Sequence, residues 1–293
     1  KTKDIESLKS ILEKQVKDGE EGYPFENWSK WGGWKNKKLA KGTGFFTKYK
    51  ADGKWWLADP DGYAFFSAGP DCVNVPVDCR VDGIEKWLDW LPDEKEPAYA
   101  EMFSPDRVFK NRKRNAKMFS YAGANLYRVF GEDWYQTWKK MMAGQLMQMG
   151  MNTLGNWSDQ RLFENTPIPY VTSLPEFPET KKKIFRDFPD VLSDEYKENA
   201  KNNAKALAAR KDDPMMIGYF LRNEPSWAFV DNLVLADEVL YNPERTVCKE
   251  KLIVALKEKY QTVEALNTAW NTKFTDFDDL YQPIRDASAK SEA

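Results

Sequence analysis

Apolar residues recur at helical spacing through "KTKDIESLKSILEKQ" (Lys1–Gln15), which predicts an amphipathic helix at the start of the chain. The next stretch, "NWSKWGGWKNKKLAKGTGFF", alternates aromatic and polar residues around glycines and reads as irregular or β structure. Two Asp-Gly pairs, Asp52-Gly53 and Asp61-Gly62, then separate short aromatic runs, a hairpin pattern. The run Ala64 to Ala68 is apolar except at Ser67, as a strand covered on both faces would be. Pro and Asp dominate from Pro70 to Phe103, predicting a long loop with a short helix. Helical spacing returns over 106–149, interrupted near Gly131 and ending at Gly150. Apolar strands follow at "MNTLGNW" and "PYVTSL". "SDEYKENAKNNAKALAARKDDP" is a helix with Ser193 as its cap, acids in its first turn and Asp-Asp-Pro as its stop. A fourth strand, "MMIGYFL", comes next.

Strands apolar along their whole length, alternating with helices, predict parallel βαβ units and an α/β fold. A doubly wound sheet and a (β/α)-barrel both meet that description. No GxGxxG or GxxxxGK[ST] follows a strand, which removes the dinucleotide-binding and P-loop versions. Polar clusters sit just past strand ends instead: Asp71 after the first, Asn156, Trp157 and Asp159 after the second, Asn223 and Glu224 after the fourth. In a (β/α)8 barrel of the TIM type those ends open on one face, where such enzymes keep their chemistry. The expected architecture is that barrel, with strands one to four evident. Residues 1–50 form a helical and aromatic appendage that leads into the β-hairpins, and 51–293 form the barrel domain.

Composition narrows the chemistry. The chain of 293 residues has no histidine, which excludes Ser-His-Asp and Cys-His catalysis and takes the commonest ligand from zinc and non-haem iron sites. Acid-base work falls to Asp, Glu, Tyr, Lys or Cys. Aromatic residues make up 14% of the chain, and their planar faces can stack on sugar rings as well as fill a core. A net charge of −2 exerts no long-range attraction on nucleic acid or an anionic membrane, and no apolar run reaches the roughly 20 residues of a membrane helix. Cys72, Cys79 and Cys248 match no zinc spacing and are expected as free thiols, with a Cys72–Cys79 pair as an option. The N-terminal helix is not a signal peptide, so secretion or a periplasmic location requires a leader already removed, and a cytoplasmic one does not.

The sharpest local pattern is "MIGYFLRNEPSWAF", in which a buried-type strand stops at Asn223-Glu224-Pro225 with Trp227 beyond. Cleaving a glycosidic bond needs a protonated carboxyl at the leaving oxygen and a second carboxylate at the anomeric carbon; a low-dielectric strand end favours the protonated form of the first. Asn223 can hydrogen-bond the hydroxyl beside the reacting carbon. The plain alternative makes Glu224 a helix cap or the partner of Arg222.

"IGYFLRNEPSW" resembles the acid-base segment of clan A glycoside hydrolases. Within the clan, "GKWWLADPDGYAFFSAGPDCV", "NLYRVFGEDW", "MGMNTLGNWSD", "DDPMMIGYFLRNEPSW" and "LNTAWNTKF" resemble the agarase-type enzymes of family 50, in order over residues 54 to 274. The resemblance implies a retaining, exo-acting hydrolase of β-linked galactose polysaccharide that needs no metal or organic cofactor. It implies Glu224 as general acid/base and Asn223 as its partner, with Asn156 and Asp159 as hydrogen bonders at the sugar rim and Trp157 and Trp227 as stacking platforms. Asp71 joins them as a lesser candidate. Arg222 stands where the family has an acidic or amide residue, and Gln145 where it has arginine.

Retention needs a second carboxylate about 5 Å from the first, a Glu after the seventh strand in this clan. After Glu224 the pattern predicts helices instead: "TVCKEKLIVALKEKY", capped by Thr246 with Leu252 and Leu256 on one face, and "TVEALNTAW", then a polar, frayed tail. Glu238, Glu244, Glu250, Glu258 and Glu264 follow no strand. The nucleophile is therefore expected from a missing segment or a second chain completing the barrel. The competing reading is a non-catalytic carbohydrate-binding or assembly half-barrel.

Overall fold

The computed structural model describes residues 2–19, 22–76, 79–104 and 117–291. The chain divides into two units, Lys1–Thr172 with Asp213–Tyr219, and Ser173–Asp212 with Phe220–Ala293.

In the first unit, α1 (Ile5–Gly19) starts where the Asp4 carboxylate accepts the Ser7 amide at 2.8 Å. Strands β1 (Trp34–Lys38), β2 (Thr47–Ala51), β3 (Lys54–Ala58) and β4 (Tyr63–Phe65) form one antiparallel sheet in the order β1-β4-β3-β2. Both Asp-Gly turns are where the sequence puts them: Ala51 faces Lys54 across the first, and Leu57 faces Phe65 across the second. The run Ala64–Ala68 is thus not a parallel strand throughout. Its first half belongs to this antiparallel sheet, because the tight Asp61-Gly62 turn returns the chain onto β3.

Past β4 the chain changes partners. Ala68 accepts the amides of Asn152 (2.8 Å) and Thr153 (3.2 Å), and Pro70 accepts that of Gly155 (2.8 Å), so 68–70 and 152–155 run side by side in the same direction. Leu154 makes a parallel bridge to Tyr170. Between these segments lie β5 (Cys79–Arg80), β6 (Phe103–Ser104) and β7 (Met118–Phe119), a small antiparallel sheet in the order β5-β7-β6, then α2 (Tyr121–Phe130) and α3 (Trp134–Gln148). Of the helix expected over 106–149, the described part begins at Tyr121, where Ser120 caps it by accepting the Gly123 amide. Positions 106–116 of that expectation lie outside the described residues.

β8 (Tyr170–Ser173) pairs with β11 (Met216–Phe220), through bonds from Tyr170 to Met215 and from Leu174 to Phe220 that advance together, as in a parallel pair. Four extended segments, 68–70, 152–155, β8 and β11, are thus neighbours in chain order, which is barrel order. Strict strand-helix alternation fails once: the second and third are joined by a 3-10 turn at Gln160–Phe163 rather than a helix. No closed barrel forms among the described residues. The core of this unit gathers Phe119, Trp134, Trp138, Leu154, Phe163 and Tyr170, with Phe163 stacked on Tyr170 at 4.1 Å.

The close run of 68–70 beside 152–155 explains two glycines. A Cβ at Gly69 would stand 1.6 Å from the Thr153 carbonyl oxygen, and one at Gly155 would stand 2.0 Å from Asp71 Oδ1 and 2.8 Å from the Pro70 carbonyl oxygen. Backbone atoms cannot rotate away, so Gly69→Ala must push two core segments apart. It is expected to cost about 3 kcal/mol, at the upper end for overpacking, read as a lower urea midpoint with unchanged slope. An unaltered midpoint would show that the two segments are not packed this way.

The second unit holds a hairpin of β9 (Lys183–Phe185) and β10 (Phe188–Pro189), then α4 (Asp194–Leu207), α5 (Leu235–Tyr241), α6 (Val247–Tyr260), α7 (Val263–Trp270) and α8 (Ala287–Ser291). Caps stand as the sequence predicts: Ser193 accepts the Tyr196 amide, and Thr246 accepts the Lys249 amide. Leu252 and Leu256 of α6 pack on the cluster of Leu240, Ile253, Leu266 and Trp270. The tail is not frayed up to Ser288, since Ile284 and Ala287 are buried and Asp237 accepts both the Ser288 amide (2.7 Å) and hydroxyl (2.6 Å). No strand follows Phe220 among the described residues.

Candidate active site

The candidate residues fall into two groups, one in each unit. In the first unit the structure brings Asp71, Asn156, Trp157 and Asp159 together. The Asn156 carbonyl accepts the Cys72 amide at 2.8 Å, the Ser158 hydroxyl accepts the Val73 amide at 3.1 Å, and the Val73 carbonyl accepts the Asp159 amide at 2.9 Å. Two strand ends are thus laced together just where the polar residues begin. Asn156 is buried, Asp71 is exposed, and Trp157 leaves 46% of its surface open. Asp159 has another duty. Its carboxylate caps the 3-10 turn by accepting the Arg161 amide and holds the Arg161 guanidinium bidentately at 2.6 to 3.1 Å. Partial burial works against the Asp159 anion, but these bonds outweigh it and keep its carboxyl below the usual carboxylate range. Asp159 thus also carries a structural ion pair at the strand end. Asp and Arg two apart at a turn carry that signal in the sequence.

In the second unit, Asn223 and Glu224 lie three and four residues past β11, and both are exposed. The buried setting expected of Glu224 is corrected, because the chain leaves the strand at Phe220 and the triplet stands clear of it. The helix-cap and Arg222-partner alternatives for Glu224 are both answered by one residue of the β9–β10 hairpin. Asp187 forms the ion pair with Arg222. It also accepts the Ser226 amide (3.0 Å), the Ser226 hydroxyl (2.6 Å) and the Trp227 amide (3.2 Å), capping the 3-10 turn Ser226–Phe229. Arg222, which departs from the family pattern, stacks its guanidinium over Phe177 at 5.0 Å. The Glu224 carboxylate bonds to none of the described residues. Trp227 is half-buried, edge-on to Phe188 at 5.1 Å, so its ring is first a packing element of the hairpin.

Backbone conformation singles out the same positions. Ten described non-glycine residues have positive φ, and five are Asp or Asn, which tolerate it. Of the other five, Cys72 (58°), Trp157 (58°) and Glu224 (41°) each follow one of the extended segments. A bulky residue in this region costs on the order of 1–3 kcal/mol and persists where surrounding contacts fix it, a pattern concentrated at functional sites.

Asp187 was not legible as functional, because its partners lie 35 to 40 residues away. Partial burial opposes its ionisation, yet the Ser226 hydroxyl and amide, Arg222 and the Trp227 amide hold it at about 2 against an ordinary 3.8. A depressed carboxylate adds stability that is present above the unfolded value and lost as pH falls through the folded one. Wild-type protein should therefore lose stability between about pH 4 and about pH 2, and Asp187→Asn should lose less across that window while being less stable above it. Urea midpoints against pH check this, and parallel curves for the two proteins would contradict the assignment.

The three cysteines are free, so the optional Cys72–Cys79 pair is absent. Among the described residues no cluster of three or more His, Cys, Asp or Glu is placed to hold a metal, and no helix is long and apolar enough to cross a membrane.

Comparison with known proteins places these segments in context. A β-galactosidase family model, glycoside hydrolase family 42, matches residues 171–292. Beta-agarase B of Vibrio sp. (strain JT0107) is 28% identical over 276 residues, covering 83% of this chain and 29% of that protein. Beta-agarase A of the same organism is 26% identical over 274 residues, covering 82% and 27%. The crystal structure of an agarase, AgWH50C, superposes with a TM-score of 0.77 at 24% identity, over 100% of this chain and 46% of that one. The chain thus spans less than a third of the curated relatives' length and under half of that crystal structure. The structural likeness shows that the chain shares its fold with part of that agarase.

Proposed function

We propose that this chain, a relative of the agarase-type glycoside hydrolases, carries the acid/base part of a retaining hydrolase acting on β-linked, galactose-containing polysaccharide. One observation carries the reading: Glu224 stands past the end of β11 in a left-handed conformation with no bonding partner among the described residues, while Asp187 performs both of the structural tasks that could explain it away. An exposed carboxylate fixed at that position by Pro225 and a capped turn is suited to act on a ligand.

In this reading Glu224 donates its proton to the glycosidic oxygen as the bond to the anomeric carbon breaks. A second carboxylate takes the anomeric carbon, and Glu224 then removes a proton from the water that releases the sugar. Asn223 hydrogen-bonds the adjacent sugar hydroxyl. The architecture is a (β/α)8 barrel of which this chain supplies the first four strands. The second carboxylate comes from polypeptide beyond residues 1–293, as a further segment or a second chain. No cofactor enters the chemistry.

The absence of a strand-end carboxylate after Glu224 among the described residues favours a second reading, a carbohydrate-binding or assembly half-barrel. Native mass together with a screen on agarose, porphyran, galactan and aryl β-galactosides separates the two. Cleavage of a β-galactan supports the hydrolase, and a 34.1 kDa particle that binds galactan without cleaving it supports the alternative.

A further inference from the structure

The antiparallel sheet β1–β4 has chemistry that the acid/base site does not use. Residues 27–65, which span the sheet, contain eight lysines against three acids, Asp52, Asp59 and Asp61, in a chain whose net charge is −2. The same sheet exposes large rings: Trp34 is 47% open, Trp55 66%, Tyr49 39% and Phe66, one position past β4, 82%. Register sorts these by face. Trp34 pairs with Ala64, Tyr49 pairs with Trp56, and Phe66, just past β4, lines the same cavity as Trp34 and Trp56. One face therefore carries Trp34, Tyr49 and Trp56, with Phe66 at its edge, around the small Ala58 and Ala64. Trp34, Trp56 and Phe66 share the lining of a cavity of about 220 Å³, and the buried Trp56 indole N–H has no hydrogen-bond partner among the described residues. Lysines flank the rings on both faces, with Lys37 over Trp56 at 4.7 Å and Lys48 and Lys50 over Trp55 at 5.9 and 5.8 Å.

We propose that this sheet binds a polysaccharide bearing sulfate esters, with Trp34, Trp56 and Phe66 against sugar rings and the lysines against the sulfates. Exposed indole and phenyl faces fit the apolar face of a pyranose, and an indole N–H supplies a directed bond to a hydroxyl. An open sheet suits a linear chain. The charge excess supplies the attraction for a polyanion. All eight cations are lysines, point charges without the planar fork that arginine offers to carboxylate and phosphate, which favours sulfate esters spaced along a chain. The choice of a glycan over other polyanions rests on the proposed hydrolase reading.

The test is affinity electrophoresis and calorimetry of the chain with carrageenan, a sulfated galactan, against neutral agarose oligosaccharides and a single-stranded oligonucleotide of matched charge. Carrageenan should bind at least about tenfold more tightly than neutral agarose, and should weaken as salt rises above about 0.1 M. Phe66→Ala and Trp34→Ala should each weaken binding about fivefold or more at unchanged thermal midpoint. Lys37→Glu with Lys54→Glu, both on the Trp56 face of the sheet, should abolish the sulfate preference and leave neutral-sugar binding in place. Equal affinity for neutral and sulfated galactan, equal affinity for the oligonucleotide, or indifference to all four substitutions would overturn the proposal. Glu224→Ala keeps the carrageenan affinity in this account, so loss of the sheet's binding and loss of the acid/base assignment are read from different variants.

Discussion

Under the proposed hydrolase reading, Glu224→Ala is expected to lower kcat/KM on β-galactan by about 10³-fold while sparing the first step on aryl β-galactosides with good leaving groups. A galactan leaving group departs as a poor alkoxide and needs the proton in the transition state, whereas a nitrophenolate does not. The aryl substrate should therefore show a burst of phenol followed by slow turnover, because the water that completes the reaction has lost its base. Asp187→Asn provides the contrast. It leaves the proton donor in place and loosens the segment holding it, so activity should fall on both substrate types by a similar, smaller factor. Equal loss on both substrate types in Glu224→Ala itself would mean that the residue positions the substrate and does not protonate it.

The largest effect on stability is expected at Lys249. Its side chain is fully buried, and its ammonium donates to the carbonyl oxygens of Leu240 (3.1 Å), Asn242 (2.7 Å) and Tyr281 (2.8 Å), fastening α6 to the end of α5 and to the segment before α8. Lys249→Met fills much of the volume but leaves three carbonyls without donors in the core, for a loss of about 3–5 kcal/mol. Urea unfolding followed by the fluorescence of Trp270, in the same core, measures it. Burial, and then the nearby Arg245 charge, pushes the Lys249 pKa down from 10.5. The unfolded chain therefore holds a proton that the folded one has lost between the two values, and stability should rise with pH through that alkaline window in wild type but not in Lys249→Met. A loss under about 1 kcal/mol would show that water reaches the three carbonyls.

Local signals were legible where the chain is its own partner. Ser193 and Thr246 cap their helices, both Asp-Gly turns close hairpins, and β8 and β11 occupy the apolar runs that predict them. Signals carried by distant partners were not. Lys249 sits in "TVCKEKLIVALKEKY" among lysines that look alike, and only three carbonyls from other segments make it a core residue. Asp187 gains its meaning from Arg222 and Ser226, and Asp159 its ion pair from Arg161. Met118–Phe119 resembled helix because two apolar residues have no period, and β5 and β6 decide their state. The positive φ of Trp157 and Glu224 has no counterpart in residue type at all.

The central claim, that Glu224 is the proton donor of a retaining galactan hydrolase, is tested most directly by adding azide to Glu224→Ala during turnover of an aryl β-galactoside and determining the anomer of the product. With the acid/base carboxylate gone, azide can enter the space it leaves and attack the glycosyl-enzyme, so the account predicts rescued turnover and a β-galactosyl azide. An α-galactosyl azide would make Glu224 the nucleophile, and no rescue with no azide adduct would remove it from the chemistry.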